Sequence, residues 1–219
     1  MDDKRFGREA WDFRERLQDL LERTVCDGPR LKVATIPPLL AVVGRDVSAH
    51  DLRGAPIPLR KTEHAPQLYA LLQFTLAPDQ QGEHLMVVSS VLGVCLDVEA
   101  RQELFHVDYE RDKSDGYPEA HLQVIASSPE WEKVLAGSSK KRRKRALSKL
   151  HLPAGGRRYR TTVEDLVAFL AAETLVDCRT GWETAVEEYR NEFEERQLRA
   201  AVRRRPEIAQ AALDDLQRS

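Results

Sequence analysis

Cysteine is scarce in this chain of 219 residues, which has only Cys26, Cys95 and Cys178. An odd number of widely spaced cysteines, with no CxxC pair, argues against a disulfide framework and against a cysteine-bound zinc ion. No apolar run approaches the roughly 18 residues that a membrane-spanning helix needs, and the first residues lack the apolar core of a signal peptide. We therefore expect a protein of the reducing cytoplasm that does not enter a membrane.

Motifs for cofactors and metals are also missing. The GK[ST] ending of a phosphate-binding loop and the GxGxxG fingerprint of dinucleotide-binding proteins do not occur. The HxH, HExxH and HxxxH spacings that are typical of metal ligands do not occur either. These absences predict a protein without a cofactor and without a bound metal.

An excess of charge of one sign is missing as well, because 34 basic and 36 acidic residues give a formal net charge of −2. This balance excludes a uniformly basic nucleic-acid binder, so any attraction to an anion must come from the distribution of charge. A content of 42% hydrophobic and 32% charged residues fits a single globular domain over residues 1–219. Residues 181–219 are predicted to form a helical C-terminal extension of that domain.

Hydrophobic periodicity predicts helices at both ends of the chain. Apolar residues at three- and four-residue steps predict an amphipathic helix over residues 3–25. A second helix begins at Thr161, where Glu164 completes the spacing of a capping box. Further helices are predicted from about Gly181 and from Pro206 to Leu216.

The strand-forming runs follow one another and are joined by polar turns, which favours an antiparallel meander. Residues 67–76 also fit a helix, and the proline-rich residues 55–66 predict a loop. The two most apolar runs should lie centrally in the sheet with both faces covered. The predicted fold class is α+β, with a mostly antiparallel sheet of four to six strands covered by an N-terminal helix and two or three C-terminal helices. Strands are expected within residues 39–54, 67–78, 84–98, 104–112 and 116–128.

Three of the six histidines lie within residues 104–160, in segments that are predicted to form strands. Alternation along a strand places His106 and Asp108 on one polar face, His121 on another, and His151 between two leucines of a third, short strand. If these strands are neighbours, the four side chains converge, because opposed side chains in a sheet stand about 5 Å apart. Such a set suits acid–base catalysis on a phosphodiester or a metal triad with open positions, unless the histidines are ordinary solvated residues.

Positive charge is concentrated in residues 140–160, which carry ten Lys or Arg and no acidic residue. Its first part is an uninterrupted basic run, and such runs bind phosphate backbones independently of sequence. The alternative is an exposed loop that serves solubility. The run consists of Lys140, Lys141, Arg142, Arg143, Lys144 and Arg145.

A second basic group follows a diglycine that allows a tight turn or a close approach of the backbone to a ligand. Arginine forks match phosphate oxygens, and a tyrosine can stack on a base. Together with the N–H groups at the start of the following helix, these residues predict a phosphate-binding turn, unless they form only a turn into the helix. The residues concerned are Gly155, Gly156, Arg157, Arg158, Tyr159 and Arg160.

These patterns predict a cytoplasmic nucleic-acid-binding protein that slightly prefers RNA and in which His106 and His121 provide metal-independent ribonuclease activity. The alternative is a non-catalytic regulatory or interaction module whose basic loop binds an acidic protein partner. An apolar stripe on the C-terminal helices also predicts a homodimer contact.

Overall fold

An antiparallel β-sheet is the centre of the fold in a computed structural model that describes residues 1–63, 65–114, 118–126, 128, 152–154 and 160–218. Within those residues, eight strands pair in the order β1-β2-β4-β5-β6-β7-β8, and β3 pairs with β4 beside this path. With helices at both ends of the chain, the fold is α+β, as predicted. The strands are β1 (Leu31–Ile36), β2 (Leu40–Arg45), β3 (Ile57–Pro58), β4 (Tyr69–Pro78), β5 (Leu85–Cys95), β6 (Glu103–Glu110), β7 (Ala120–Val124) and β8 (Leu152–Pro153).

The sheet has more strands than the predicted four to six. The additional ones lie in segments without a clear alternation of apolar and polar residues. Whereas β8 overlaps the short strand predicted around His151, β1 directly precedes Pro37 and Pro38, and β3 is a two-residue strand inside the predicted loop. These segments are strands because a neighbouring strand pairs with them, and a single sequence does not show that pairing.

The central strand β4 buries only alternate residues. Its buried side chains face the main core, whereas Leu71, Gln73 and Thr75 on the other face stay partly exposed. The helical alternative for this segment is therefore wrong. The other face of β4 carries Leu71, Gln73 and Thr75, which are partly buried, so the two faces of this strand are unequally covered. The buried residues of β4 are Ala70, Leu72, Phe74 and Leu76.

Four helices lie in the described part of the chain: α1 (Asp3–Thr24), α2 (Val163–Ala172), α3 (Trp182–Arg204) and α4 (Pro206–Arg218). The first two cover the apolar face of the sheet, where Phe13 packs edge-on against Phe74 and Phe169 against Phe105. The capping box of α2 is one residue later than predicted. Thr162 and Asp165 form it, with a Thr162 N to Asp165 Oδ2 distance of 2.9 Å.

Helix α3 lies antiparallel to α1. The start of α3 contacts the end of α1, where Arg23 and Glu188 form an ion pair of 2.8 Å. One turn further along α3, Glu192 pairs with Arg16, which is earlier in α1. The Tyr189 hydroxyl adds a hydrogen bond to the Asp19 carboxylate at 2.5 Å. No helix among the residues that the structure describes is long and apolar enough to cross a lipid bilayer.

A second, smaller apolar cluster lies on the opposite face of the sheet, at its β1–β2 end. Ala34 and Val42 are buried there against Val47, which belongs to the loop after β2. This loop therefore covers one end of the second face. The polar residues of β5, β6 and β7 lie at the other end of that face, where the histidine-bearing strands are adjacent.

Candidate active site on the polar face of the sheet

The register of β6 and β7 brings two of the predicted histidines together. Asp108 of β6 is directly opposite His121 of β7, and His106 is opposite Gln123. Because opposed residues in an antiparallel pair share a face, His106, Asp108 and His121 all lie on the polar face of the sheet. The alternation in the sequence predicts this placement; the catalytic role of the three residues stays a prediction.

Both imidazole rings point at the same carboxylate oxygen. His106 Nε2 lies 3.5 Å from Asp108 Oδ2, and His121 Nε2 lies 3.6 Å from that same atom. These separations are longer than the 2.7–2.9 Å typical of charge-assisted hydrogen bonds. Catalytic hydrogen bonds are often long before a substrate is bound, so these distances are compatible with a catalytic role.

The cluster is largely buried. The exposed fraction of the side chain is 7% for His121, 15% for His106 and 34% for Asp108. Asp108 Oδ1 is buried and accepts no hydrogen bond from the residues that the structure covers. A buried carboxylate oxygen without a donor is unfavourable, and a hydroxyl group of a bound molecule can supply that donor.

Glu103, which sequence reasoning did not select, is the closest partner of His106. Its Oε1 lies 2.6 Å from His106 Nδ1, and the two residues are three positions apart in β6. Regular alternation puts residues three apart on opposite faces of a strand. No pattern in the sequence marks the irregularity that brings Glu103 to the polar face.

A groove of about 570 Å³ opens beside Asp108 and His121. It also carries Arg111 and Lys113, two cations at the end of β6 that the sequence analysis did not single out. Lys113 Nζ lies 2.6 Å from Glu110 Oε2, and Arg111 Nε donates to the Val87 carbonyl at 3.4 Å. The groove therefore holds two cations beside the two carboxylates of Asp108 and Glu110.

Arg160, predicted to bind phosphate, lies between two aromatic rings. Its guanidinium carbon is 5.6 Å from the centre of the Tyr109 ring and 5.3 Å from that of Phe193. Burial lowers the pKa of this guanidinium. Its position fits cation–π packing between β6 and α3, and phosphate contact through Arg160 stays a prediction.

Several predicted site residues lie outside the described part of the chain. The segment that holds the basic run follows β7 in sequence and precedes β8. These two strands pair, with His121 opposite Pro153. The residues outside the described part are Lys140, Lys141, Arg142, Arg143, Lys144, Arg145, His151, Gly155, Gly156, Arg157, Arg158 and Tyr159.

The described residues contain no group of three or more His, Cys, Asp or Glu side chains arranged to hold a metal ion. The three cysteines are free thiols. Burial raises the pKa of Cys95 to about 11, which makes it a poor nucleophile at neutral pH. No protein-family model, curated protein or solved structure matches this chain.

Proposed function

We propose that this chain is a cytoplasmic nucleic-acid-binding protein that prefers RNA and cleaves it without a metal. The observation that carries the proposal is the convergence of His106 Nε2 and His121 Nε2 on Asp108 Oδ2, at 3.5 and 3.6 Å. Two imidazoles this close can act on one phosphodiester, because histidine takes up and releases protons near neutral pH. The free thiols support a reducing compartment.

The proposed reaction uses the ribose 2′-hydroxyl as nucleophile. His106 Nε2 takes its proton, and the 2′-oxygen attacks the adjacent phosphorus. The bond between phosphorus and the 5′-oxygen breaks, and protonated His121 gives its Nε2 proton to that oxygen. The products are a 2′,3′-cyclic phosphate and a 5′-hydroxyl, and proton exchange with water restores both histidines. Asp108 stabilises whichever ring carries a proton on Nε2.

We assign phosphate binding to two groups of cations. Arg111 and Lys113 line the groove next to His121. The basic run and Arg157 and Arg158 belong to segments linked to β8, which pairs with the histidine-bearing β7. Contacts of this kind position a polynucleotide without reading its sequence. A preference for RNA then follows from the chemistry, because DNA lacks the 2′-hydroxyl.

The test compares cleavage and binding of one oligoribonucleotide by purified variants. His106→Ala and His121→Ala should each lower kcat by about 10²–10⁴-fold, because each removes a general acid or base. Binding should stay within about threefold, since the phosphate contacts are unchanged. His50→Ala is the matched control, because His50 is exposed in the loop between β2 and β3.

Two further arms make the result decisive. A deoxyribose oligonucleotide should bind and stay intact. A chelator should leave cleavage unchanged; loss of cleavage in chelator would instead assign His106, Asp108 and His121 to metal ligation. If the wild-type protein and both alanine variants cleave equally well, the histidines are not the catalytic groups. If no preparation cleaves RNA, the chain is not a ribonuclease of this kind.

The second candidate function is a non-catalytic interaction module that binds an acidic protein through its basic loop and forms homodimers. The observation that favours it is a set of exposed large apolar side chains on α3 and α4, because an apolar patch on a protein surface can bind a partner. In this case the basic segment contacts carboxylates instead of phosphates. The exposed residues and their exposed fractions are Leu198 (66%), Val202 (43%), Ile208 (54%), Leu213 (54%) and Leu216 (72%).

A further inference from the structure

A shift in the register of β5 and β6 brings Glu103 to the polar face. Val94 is opposite Phe105, but the next residue of β5, Cys95, is opposite Glu103. Leu104 is therefore an additional residue of β6, as in a β-bulge, and it is exposed. Bulges re-aim side chains next to functional sites. Without this irregularity, alternation would place Leu104 beside His106 and turn Glu103 to the other face.

The two ring nitrogens of His106 therefore face two different carboxylates. Glu103 Oε1 is 2.6 Å from His106 Nδ1, a separation typical of a strong hydrogen bond, and Asp108 Oδ2 is 3.5 Å from Nε2. An ionised carboxylate only accepts hydrogen bonds, so Nδ1 carries a proton in this arrangement. In a neutral ring the remaining nitrogen, Nε2, is then the proton acceptor.

The hydrogen bond between Glu103 and His106 is shielded from water. The side chain of Glu103 is 28% exposed and that of His106 is 15% exposed, so water competes weakly for their hydrogen bond. Glu103 begins β6 and is held by strand pairing with Cys95. A carboxylate that holds one nitrogen of a catalytic imidazole fixes its tautomer and ring orientation.

We propose that Glu103 is a positioning residue that fixes the Nδ1–H tautomer of His106 and directs Nε2 towards the reacting 2′-hydroxyl. The catalytic part of this inference rests on the proposed ribonuclease function. Glu103 does not contact the substrate; it acts through His106. The bulge at Leu104 is the structural feature that makes this role possible.

The experiment measures the tautomer of His106 by NMR and the catalytic activity in turnover assays. Imidazole ¹⁵N spectra should show that the neutral ring of His106 is the Nδ1–H tautomer in the wild type. In Glu103→Ala the ring should shift towards the mixture of both tautomers that a solvated histidine has. Glu103→Gln keeps an oxygen acceptor and should retain the wild-type tautomer. Glu99→Ala is the matched control, because Glu99 is exposed in the turn between β5 and β6.

In turnover assays, Glu103→Ala should lower kcat roughly 10–100-fold, by analogy with loss of the partners that orient catalytic or metal-bound histidines, and leave KM within about twofold. Glu103→Gln should recover most of that loss. An unchanged His106 spectrum in Glu103→Ala overturns the inference, as does an unchanged kcat in an active enzyme. If the wild type is inactive, the ribonuclease function fails and the catalytic role of Glu103 fails with it, but the spectra still decide whether Glu103 sets the tautomer.

Discussion

Cys26 shows at the scale of one residue how burial links stability to pH. Its side chain has no exposed surface, and burial, assisted by Asp27, raises the pKa of the thiol to about 12. An unfolded cysteine titrates near pH 8.5. The folded pKa is the higher one, so the protonated thiol stabilises the fold fully below about pH 8.5 and progressively less as the pH rises towards 12.

We expect Cys26→Ala to remove this dependence. The difference in free energy of unfolding between wild type and variant should shrink by up to about 1.4 kcal/mol per pH unit between about pH 9 and 11. Urea unfolding at several pH values measures it. Burial also raises the pKa values of Cys95 and Tyr189. Because both residues are present in both proteins, their contributions to the pH dependence cancel in the difference. A difference that stays constant over this range would contradict the prediction.

Individual residues of the candidate site differ in how far the sequence could predict them. Alternation predicted the face of His106 and Asp108 within one strand and that of His121 within the next, and the pairing of β6 with β7 brings these two faces together. Glu103 was not predictable, because its position depends on one extra residue at a bulge that leaves no mark in the local pattern. Arg160 was predicted as a phosphate ligand from its basic neighbours. The structure places it between Tyr109 and Phe193, which are distant in sequence.

At the scale of elements, long periodic segments were predictable and short ones were not. The helix over residues 3–25 was predicted from its periodicity, and the strands of the meander were predicted from apolar or alternating runs joined by polar turns. The start of α2 was ambiguous, because Thr161 and Thr162 each have an acidic residue three positions later. The structure selects Thr162 and Asp165, a start from which Val163 and Leu166 are buried in the core.

The C-terminal helices carry a prediction of their own, since α4 buries none of its residues while Ile208 and Leu213 are each 54% exposed. If a second copy covers this surface, Ile208→Lys with Leu213→Lys should convert a dimer into a monomer, because an unpaired charge is costly in an apolar interface. The matched control is Gln210→Lys, on the same helix. Sedimentation measures the mass of each variant. A wild type that is monomeric at all concentrations would rule out the homodimer.

The distribution of charge over the whole molecule determines how it can bind a polyanion. Residues 140–160 contain ten of the 34 basic residues and no acidic one, although the complete chain has a net charge of −2. The rest of the chain is therefore acidic and repels a nucleic acid. Attraction must come mainly from this segment and from the few cations near it, and it must overcome the opposing charge of the body.

This arrangement predicts binding that depends steeply on salt. With six to nine phosphate contacts, the slope of log K against log salt should be about −5 to −8 on a duplex and less steep on a single strand, because each contact releases counterions. Replacing Lys141, Arg142 and Arg143 by Glu should weaken binding to all sequences about equally. The slope should become less steep by the amount that about three phosphate contacts contribute. The control variant replaces Arg196, Arg199 and Arg204 of α3, which are exposed, by Glu, so that the total charge changes by the same amount. This variant should leave the slope nearly unchanged. Equal effects of the two triple variants would show that total charge, and not this segment, governs binding, and a flat salt response would remove the electrostatic model altogether.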